Sequence, residues 1–365
     1  MRLFYVLPKG VVVIPDRTRW TGPWLGATRR PSLQRVANRP IVCHVLDALA
    51  QAGVVEIAIL TPPDAVDEIA ACIAREGPDG VTVSYLINDR CATGEGPLLA
   101  AARFAGEDPC VLHHANGLLG APLAPFVQAL QDEPSDALLL VREDAGEIRR
   151  LRLVPQRLLT ATENGLTPAP GAAAGVCLLG PGMLQRVAGL APESEPESQI
   201  SMLDFATLAE QLARDGRHVH MRTVQDWRQF AGDALDLLDM NRAMLDAMTF
   251  DSLPQPGNGN RFEGPIMIHP SASVSSSVII GPVIVGADAL IADSYIGPHT
   301  SIAERVRIEG AELERSIVLA DASVLHVGGR LVASIVGREA RVFRDFSMPR
   351  ALRLQVGDGD EVALC

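Results

Sequence analysis

A stretch near the C-terminal end of the chain, IIGPVIVGADALIADSYIGPHTSI at residues 279–302, decides the fold because its aliphatic residues recur every six positions. The repeat continues on both sides in three phases, which are Ile268, Val274 and Ile280, then Ile284, Leu290, Ile296, Ile302 and Ile308, then Val318, Val324, Val336 and Val342. A period of six fits neither an α-helix nor a simple β-strand. It predicts a left-handed parallel β-helix of hexapeptide repeats, in which each repeat forms one side of a triangular prism and points its aliphatic residue inward.

The N-terminal two-thirds of the chain shows a different pattern, in which short apolar strands alternate with amphipathic helices. This alternation predicts an α/β domain with a mostly parallel sheet and helices on both faces. The segment that follows is rich in Pro, Gly and Asn and indicates a linker. We therefore predict an α/β domain over residues 1–250, a linker over residues 251–263 and a β-helix domain over residues 264–365.

The composition limits the classes of partner and the compartment. A formal net charge of −12 over 365 residues disfavours nucleic acid and anionic membrane surfaces as partners. No apolar segment predicts a secretory signal or a transmembrane helix. The six cysteines are scattered without a CxxC pair, so they indicate neither a disulfide framework nor a zinc site. We expect a cytoplasmic protein.

Basic residues are distributed very unevenly between the two main types. Lys9 is the single lysine of the chain, and every other basic residue is Arg or His. Such a bias is typical of genomes rich in G and C. It also limits the chemistry, because any mechanism that needs a positioned lysine has one candidate.

Eight segments of the chain carry a resemblance to a known family. In the repeat region they are SYIGPHTSI (Ser294–Ile302), ELERSIVL (Glu312–Leu319), GRLVASIVG (Gly329–Gly337) and VGDGDEV (Val356–Val362). In the N-terminal region they are RRPSLQRVANRPIVCHVLDALAQAGVVEIAI (Arg29–Ile59), CVLHHANGLL (Cys110–Leu119), LRLVPQR (Leu151–Arg157) and DWRQFAGDALDLLDMNRAML (Asp226–Leu245). In this order they resemble long-form glucose-1-phosphate thymidylyltransferases, which are sugar-1-phosphate nucleotidyltransferases. The resemblance implies a Rossmann-like nucleotidyltransferase domain followed by a β-helix.

The resemblance also implies where the family's chemistry belongs in this chain. A sugar 1-phosphate attacks a nucleoside triphosphate, which requires glycines around the phosphates, a basic residue and carboxylates that hold Mg²⁺. The family's two metal-binding aspartates fall at Ala115 and Phe230, and its lysine falls at Pro31. Its sugar-binding Glu-Lys pair falls at residues 155–156, which are Pro and Gln, and residues 11–21 contain no glycine. Because these departures coincide at one site, we predict a degenerate active site with no resident metal and no cofactor.

Three interpretations of the function remain open. The first is a non-catalytic subunit that binds a nucleotide or sugar nucleotide or has a regulatory role. The second is a repurposed enzyme of a bacterial biosynthetic pathway, because histidines at the end of a central strand suit acid–base chemistry at neutral pH. The third is an active glucose-1-phosphate thymidylyltransferase.

Each interpretation has its candidate residues and partners. The ligand-binding candidates are Arg17, Arg19, Asn116, Asp204 and Trp227. The catalytic candidates, for a repurposed enzyme only, are His113, His114, Asp16 and Cys91. The expected partners are a nucleotide, a sugar nucleotide or another small molecule, and further copies of the chain in a homo-oligomer that forms through the β-helix.

Overall fold

The computed structural model describes residues 7–15, 30–87, 96–132, 135–142, 173–190, 205–250 and 257–344. The strands of the N-terminal domain are β1 (Lys9–Val13), β2 (Arg35–Val36), β3 (Arg39–Pro40), β4 (Glu56–Thr61), β5 (Thr82–Ile87), β6 (Cys110–His114), β7 (Gly117–Leu119), β8 (Ala137–Arg142), β9 (Ala173–Leu179), β10 (Val219–Val224) and β11 (Trp227–Gln229). Its helices are α1 (Ile41–Gln51), α2 (Val66–Glu76), α3 (Pro97–Ala105), α4 (Ala124–Asp132), α5 (Met183–Leu190), α6 (Phe205–Arg214) and α7 (Ala234–Ala247).

Seven of these strands form one sheet in the order β10-β8-β9-β6-β1-β4-β5. Neighbouring strands run parallel, except that β9 is antiparallel to both β8 and β6. The central strands are buried on both faces, which explains why their sequences are continuous aliphatic runs rather than alternating ones. The predicted mostly parallel α/β sheet is confirmed.

Helices cover both faces of the sheet, and the alternation of side chains along β1 separates the two layers. Val12 packs in the layer that contains α1, α2, α4 and α7, whereas Val11 and Val13 pack in the layer that contains α3, α5 and α6. Helix α7 begins after Asp233, whose side chain accepts a hydrogen bond from the backbone N–H of Leu235 at 3.0 Å. None of the described helices is long and apolar enough to span a membrane.

The C-terminal domain consists of short strands that stack in three parallel five-stranded sheets, which confirms the predicted β-helix. The first sheet contains β12 (Arg261–Glu263), β15 (Val278–Ile280), β18 (Tyr295–Ile296), β21 (Glu312–Glu314) and β24 (Arg330–Val332). The second contains β13 (Ile266–Ile268), β16 (Val283–Val285), β19 (Thr300–Ile302), β22 (Ile317–Val318) and β25 (Ile335–Val336). The third contains β14 (Ser273–Ser275), β17 (Leu290–Ala292), β20 (Arg307–Glu309), β23 (Ser323–Leu325) and β26 (Arg341–Phe343).

The prediction that the aliphatic residues of the six-residue repeat point into the prism is wrong at three positions. Ile280, Ile284 and Leu290 point outward, and the residues that point into the prism next to them are Ile279, Val285 and Ile291. The reason is the length of a coil: Arg261 pairs with Val278, and Val278 pairs with Tyr295, so in these coils the chain returns after 17 residues rather than 18. One inward column therefore consists of Ile279, Ile296, Leu313 and Leu331.

The β-helix packs against the N-terminal domain through helix α7 and the β2–β3 hairpin. Asn241 of α7 is fully buried, and its Oδ1 accepts a hydrogen bond from the backbone N–H of Ala37 at 2.8 Å. Its Nδ2 donates to the backbone carbonyl of His299 at 3.0 Å. Ile317 and Ile335 of the prism pack in the aliphatic core of the N-terminal domain. One side-chain amide thus joins the hairpin, the helix and the prism.

Candidate functional site

The C-terminal ends of β1 and β6 lie side by side at the centre of the sheet, at the edge where open α/β sheets bind ligands. Strand β6 ends in His113 and His114, and the next residue, Ala115, donates its backbone N–H to the carbonyl of Val13 at 2.9 Å. Strand β7 follows and pairs antiparallel with β11. This pairing brings the segment after β6 against residues 227–230, so that His113, His114, Ala115, Asn116, Trp227 and Phe230 form one cluster, called here the strand-end site.

His113 is a neutral, buried imidazole at this site. Its side chain is 1% exposed, and its Nδ1 lies 2.8 Å from the backbone carbonyl of His114. Because a carbonyl oxygen can only accept, Nδ1 carries the proton. Burial lowers the pKa of His113 to about 4, and the hydrogen bond to the carbonyl opposes this shift only in part. The ring is therefore uncharged at neutral pH and has almost no contact with solvent.

The ring of His114 stacks on a residue of helix α6, which is distant from His114 in sequence. Its ring stacks on Phe205, the first residue of α6, with 4.2 Å between the ring centroids and 26° between the planes. The backbone of Gly175 also approaches so closely that a Cβ there would lie 2.9 Å from His114 Nδ1. The imidazole thus lies in a tight slot and is 8% exposed.

Trp227 fills the space beside the two histidines. Its indole is 2% exposed, and the ring centroids of Trp227 and His113 are 5.6 Å apart. A Cβ at Gly175 would lie 2.7 Å from Trp227 Cζ2, and one at Gly117 would clash with the same ring. The two glycines are therefore needed to admit the indole. Within the described part of the chain, the Nε1 of Trp227 has no hydrogen-bond partner.

Ala115 and Phe230 stand where the resemblance places the two metal-binding carboxylates, and both are fully buried apolar residues. The structure brings them together: the backbone N–H of Phe230 donates to the carbonyl of Asn116 at 2.8 Å, and Asn116 Nδ2 donates to the carbonyl of Phe230 at 3.1 Å. Mg²⁺ binds oxygen ligands, above all carboxylates. Methyl and phenyl groups cannot replace them, so these two positions do not fit the metal. Among the described residues, no group of three or more His, Cys, Asp and Glu side chains is arranged to hold a metal ion.

Two basic residues that the structure describes, Lys9 and Arg30, are engaged away from the strand-end site. Lys9 lies at the N-terminal end of β1, opposite the strand-end site, where its Nζ is 3.1 Å from Asp108 and 3.1 Å from the carbonyl of Phe104. Arg30, next to the position of the family's lysine, is 2% exposed and forms ion pairs with Asp64 at 3.0 Å and Glu68 at 2.9 Å. Neither cation is available to neutralise a triphosphate at the strand-end site.

The described cysteines are free thiols in the core. Burial raises the pKa of the Cys110 thiol far above its usual range, and burial raises the pKa of Cys177 to about 12. A thiol nucleophile must ionise near neutral pH, so neither sulfur suits that role. Cys91, the cysteine among the catalytic candidates, lies outside the described residues.

The structure places only part of the predicted site. His113, His114, Asn116 and Trp227 lie together at the strand-end site, while Asp16, Arg17, Arg19, Cys91 and Asp204 lie outside the described residues. Assignment of these residues to catalysis or ligand binding stays a prediction. Sequence reasoning missed Phe205 and Gly175, and no local pattern marks either of them as a neighbour of His114. Their proximity follows from the antiparallel pairing of β9 with β6 and from the packing of α6.

Known proteins resemble the chain over most of its length. It is 27% identical to the glucose-1-phosphate thymidylyltransferase of Streptomyces griseus, over 91% of this chain and 92% of that one. It is 25% identical to the enzyme of the same name from Streptomyces antibioticus, over 92% of this chain and 94% of that one. No family model matches the chain.

A solved structure supports the fold. The crystal structure of a Bacillus anthracis protein assigned as a glucose-1-phosphate thymidylyltransferase superposes with a TM-score of 0.52 at 19% identity, over 67% of this chain and 97% of that one. Together these similarities confirm the resemblance to glucose-1-phosphate thymidylyltransferases that the sequence motifs indicate.

Proposed function

We propose that this protein is a non-catalytic relative of the sugar-1-phosphate nucleotidyltransferases, which binds a nucleotide or sugar nucleotide, or regulates a partner, without forming sugar nucleotides itself. The observation that carries the proposal is that Ala115 and Phe230, where the resemblance places the two metal-binding carboxylates, are buried apolar residues whose segments are joined by hydrogen bonds through Asn116. Such a transfer depends almost entirely on positioning and electrostatic stabilisation, to which the metal makes a large contribution.

The charge distribution of the strand-end site supports the same proposal. His113 is neutral, Ala115 and Phe230 are apolar, and Trp227 packs among them. Lys9, the single lysine, lies at the other end of β1. A nucleoside triphosphate carries several negative charges, and the six described residues of the strand-end site include no lysine or arginine to balance them during transfer of its α-phosphoryl group. Binding through a base or a sugar requires no such cations.

The proposed ligand contacts are Arg17, Arg19 and Asp204 together with Asn116 and Trp227. We place the protein in the cytoplasm, since its described cysteines are free thiols and sugar nucleotides are cytoplasmic metabolites. The net charge of −12 disfavours nucleic acid as a partner.

Two measurements on the same preparation test the proposal. The chain is incubated with glucose 1-phosphate, dTTP and Mg²⁺, and pyrophosphate release is compared with that of the Streptomyces griseus enzyme in parallel. We expect a rate at least about 1000-fold lower, because the electrostatic stabilisation of the transition state is missing. Pyrophosphate release within tenfold of that enzyme would overturn the proposal in favour of an active thymidylyltransferase.

Calorimetric titration with dTTP and with dTDP-glucose then tests ligand binding. We expect binding whose affinity is unchanged when Mg²⁺ is replaced by a chelator, since the strand-end site lacks the metal ligands. Binding that requires Mg²⁺ would contradict the loss of the metal site. If neither dTTP nor dTDP-glucose binds, the nucleotide-binding form of the proposal is excluded.

A further inference from the structure

Two thiols of the N-terminal domain lie in contact, although they belong to different helices. Cys43 is in the first turn of α1 and Cys72 is in the second half of α2, and their Sγ atoms are 4.0 Å apart. The two residues are 29 positions apart in the chain, so the packing of α1 against α2 brings them together. This pair is called here the helix dithiol.

The distance between the two sulfur atoms suits a disulfide. The S–S bond is about 2.05 Å long, so each sulfur would have to move by about 1 Å. A movement of this size is within reach of rotation about the Cα–Cβ bonds of the two cysteines, without displacement of the helices. The helix dithiol is therefore placed for a bridge that leaves the fold unchanged.

Two further cysteines provide a contrast within the same domain. Cys110 of β6 and Cys177 of β9 are both fully buried, but Cys110 lies opposite Leu179 and Cys177 lies opposite Leu112 in the antiparallel pair. Cys110 and Cys177 are therefore diagonal neighbours, which are about 7–8 Å apart across a sheet. A disulfide needs Cβ atoms about 3.5–4.5 Å apart, so these two thiols are not placed for one.

The surroundings of the helix dithiol make its two sulfur atoms unequal. The hydrogen bond with Cys43 lowers the pKa of the Cys72 thiol, and Arg75 and Arg35 lower it further, whereas burial and Glu76 oppose this shift. Cys72 is also 6% exposed, while Cys43 is fully buried. Because the thiolate is the reactive form, a small oxidant from solution should react first at Cys72.

We infer that the helix dithiol is an oxidation site, which hydrogen peroxide converts into a disulfide between α1 and α2. The Cys72 thiolate attacks one oxygen of the peroxide, the O–O bond breaks, and the departing hydroxide takes up a proton as water, which leaves a sulfenic acid on Cys72. The Cys43 sulfur then attacks the Cys72 sulfur, and the displaced hydroxide leaves as water with the proton of the Cys43 thiol. In total, two thiols and one peroxide give one disulfide and two waters.

The bridge would change the stability of the N-terminal domain. It closes residues 43–72 into a loop that includes β4, a neighbour of β1 in the central sheet. A cross-link of this span restricts the unfolded chain, so the oxidised form should be the more stable one. We expect peroxide to raise the melting temperature by at least about 4 °C, and dithiothreitol to reverse the rise.

Alkylation and mass spectrometry on the full chain test this inference. After treatment with peroxide the chain is unfolded with iodoacetamide and digested with trypsin, which yields one peptide, residues 36–75, that holds both Cys43 and Cys72 and no other cysteine. We expect this peptide without alkyl groups and two hydrogen atoms lighter after oxidation, and doubly alkylated after dithiothreitol. Cys110 and Cys177 should be alkylated in both samples. The inference is overturned if peptide 36–75 stays doubly alkylated after a peroxide dose that oxidises glutathione completely in a parallel tube.

Single variants test the order of the two steps. In Cys43→Ala the reaction should stop at the sulfenic acid of Cys72, which dimedone traps, whereas in Cys72→Ala the thiol of Cys43 should stay reduced. Each variant is compared with its own reduced form, so a packing loss caused by the substitution cancels. Oxidation should raise the melting temperature of the matched control Cys177→Ala but of neither helix variant. A rise that persists in either helix variant would contradict the bridge, and no outcome depends on whether the chain binds a nucleotide.

Discussion

One inward column of the prism contains both isoleucine and leucine, at Ile279, Ile296, Leu313 and Leu331. At the strand-end site, by contrast, Ala115 and Phe230 stand where the resemblance places carboxylates. The prism needs only side chains of suitable volume and apolar character, and many sequences satisfy that requirement. Metal-dependent transfer needs particular atoms at particular positions, and no aliphatic or aromatic side chain supplies them. The fold of the prism therefore places weaker demands on residue identity than metal-dependent transfer does.

The largest effect is expected in the prism. Ile296→Ala removes three buried carbons from the middle of an inward column and should lower the free energy of unfolding by about 2–5 kcal/mol. Leu290→Ala, at an outward position of the neighbouring coil, should change it by less than about 0.5 kcal/mol. Urea denaturation of both variants measures the difference. Equal losses would mean that the direction of the two side chains is misassigned.

A pH dependence should distinguish the strand-end site from the aliphatic prism. The pKa of His113 is about 4 in the folded chain and about 6.5 when unfolded. Between these values the unfolded chain holds a proton that the folded chain does not, so stability is intact above pH 6.5 and falls as the pH drops toward 4. The slope from this residue should approach about 1.4 kcal/mol per pH unit.

His113→Asn, which keeps an N–H donor near the position of Nδ1, should reduce that slope in pH-dependent urea denaturation. His44, which contacts the carbonyl of Val36 at 2.9 Å and whose pKa burial also lowers to about 4, contributes in the same direction. The double variant with His44→Gln should therefore remove most of the remaining dependence. An unchanged slope in His113→Asn would show that His113 is exposed to solvent.

The smallest expected change in stability comes from replacing one glycine by alanine in each region. Gly175→Ala should cost about 1–3 kcal/mol, because the new Cβ would lie 2.7 Å from Trp227 Cζ2 and 2.9 Å from His114 Nδ1. Gly337→Ala in the prism should be nearly neutral, since no atom lies within 4 Å of a Cβ there. Thermal unfolding measures both variants. If Trp227→Phe relieves the cost of Gly175→Ala, the indole is the source of the clash; no coupling between the two substitutions would contradict the packing described here.

Much of the fold was predictable because its signals are local. The aliphatic runs of β1, β4 and β6 and the helical spacing of α1 and α2 are readable in short windows, and the α/β sheet follows from their alternation. The residues that point into the prism were harder to predict. Ile280, Ile284 and Leu290 are as apolar as their inward neighbours, so only the pairing of successive coils reveals that a turn takes 17 residues.

The sequence predicted the residues of the candidate site within single segments, but not the contacts between segments. The histidines at the end of β6 and the apolar residues at 115 and 230 could be found from the motifs. Their burial, and the low pKa of His113 that results from it, depends on Trp227, Phe205 and Gly175, which come from three other parts of the chain. As the single lysine, Lys9 is the one candidate for a lysine-dependent step, but at the start of β1 it forms an ion pair with Asp108.

By itself, the sequence determined which elements form, that a prism follows an α/β domain, and that Ala115 and Phe230 stand where the resemblance places carboxylates, since each of these is a property of residue identity and spacing. Only the tertiary structure decided that Ala115 and Phe230 lie together and that the indole of Trp227 packs beside His113. It also decided that Ile317 and Ile335 of the prism pack in the aliphatic core of the N-terminal domain. These facts concern distances between segments far apart in sequence, and such distances are set by packing rather than by local preference.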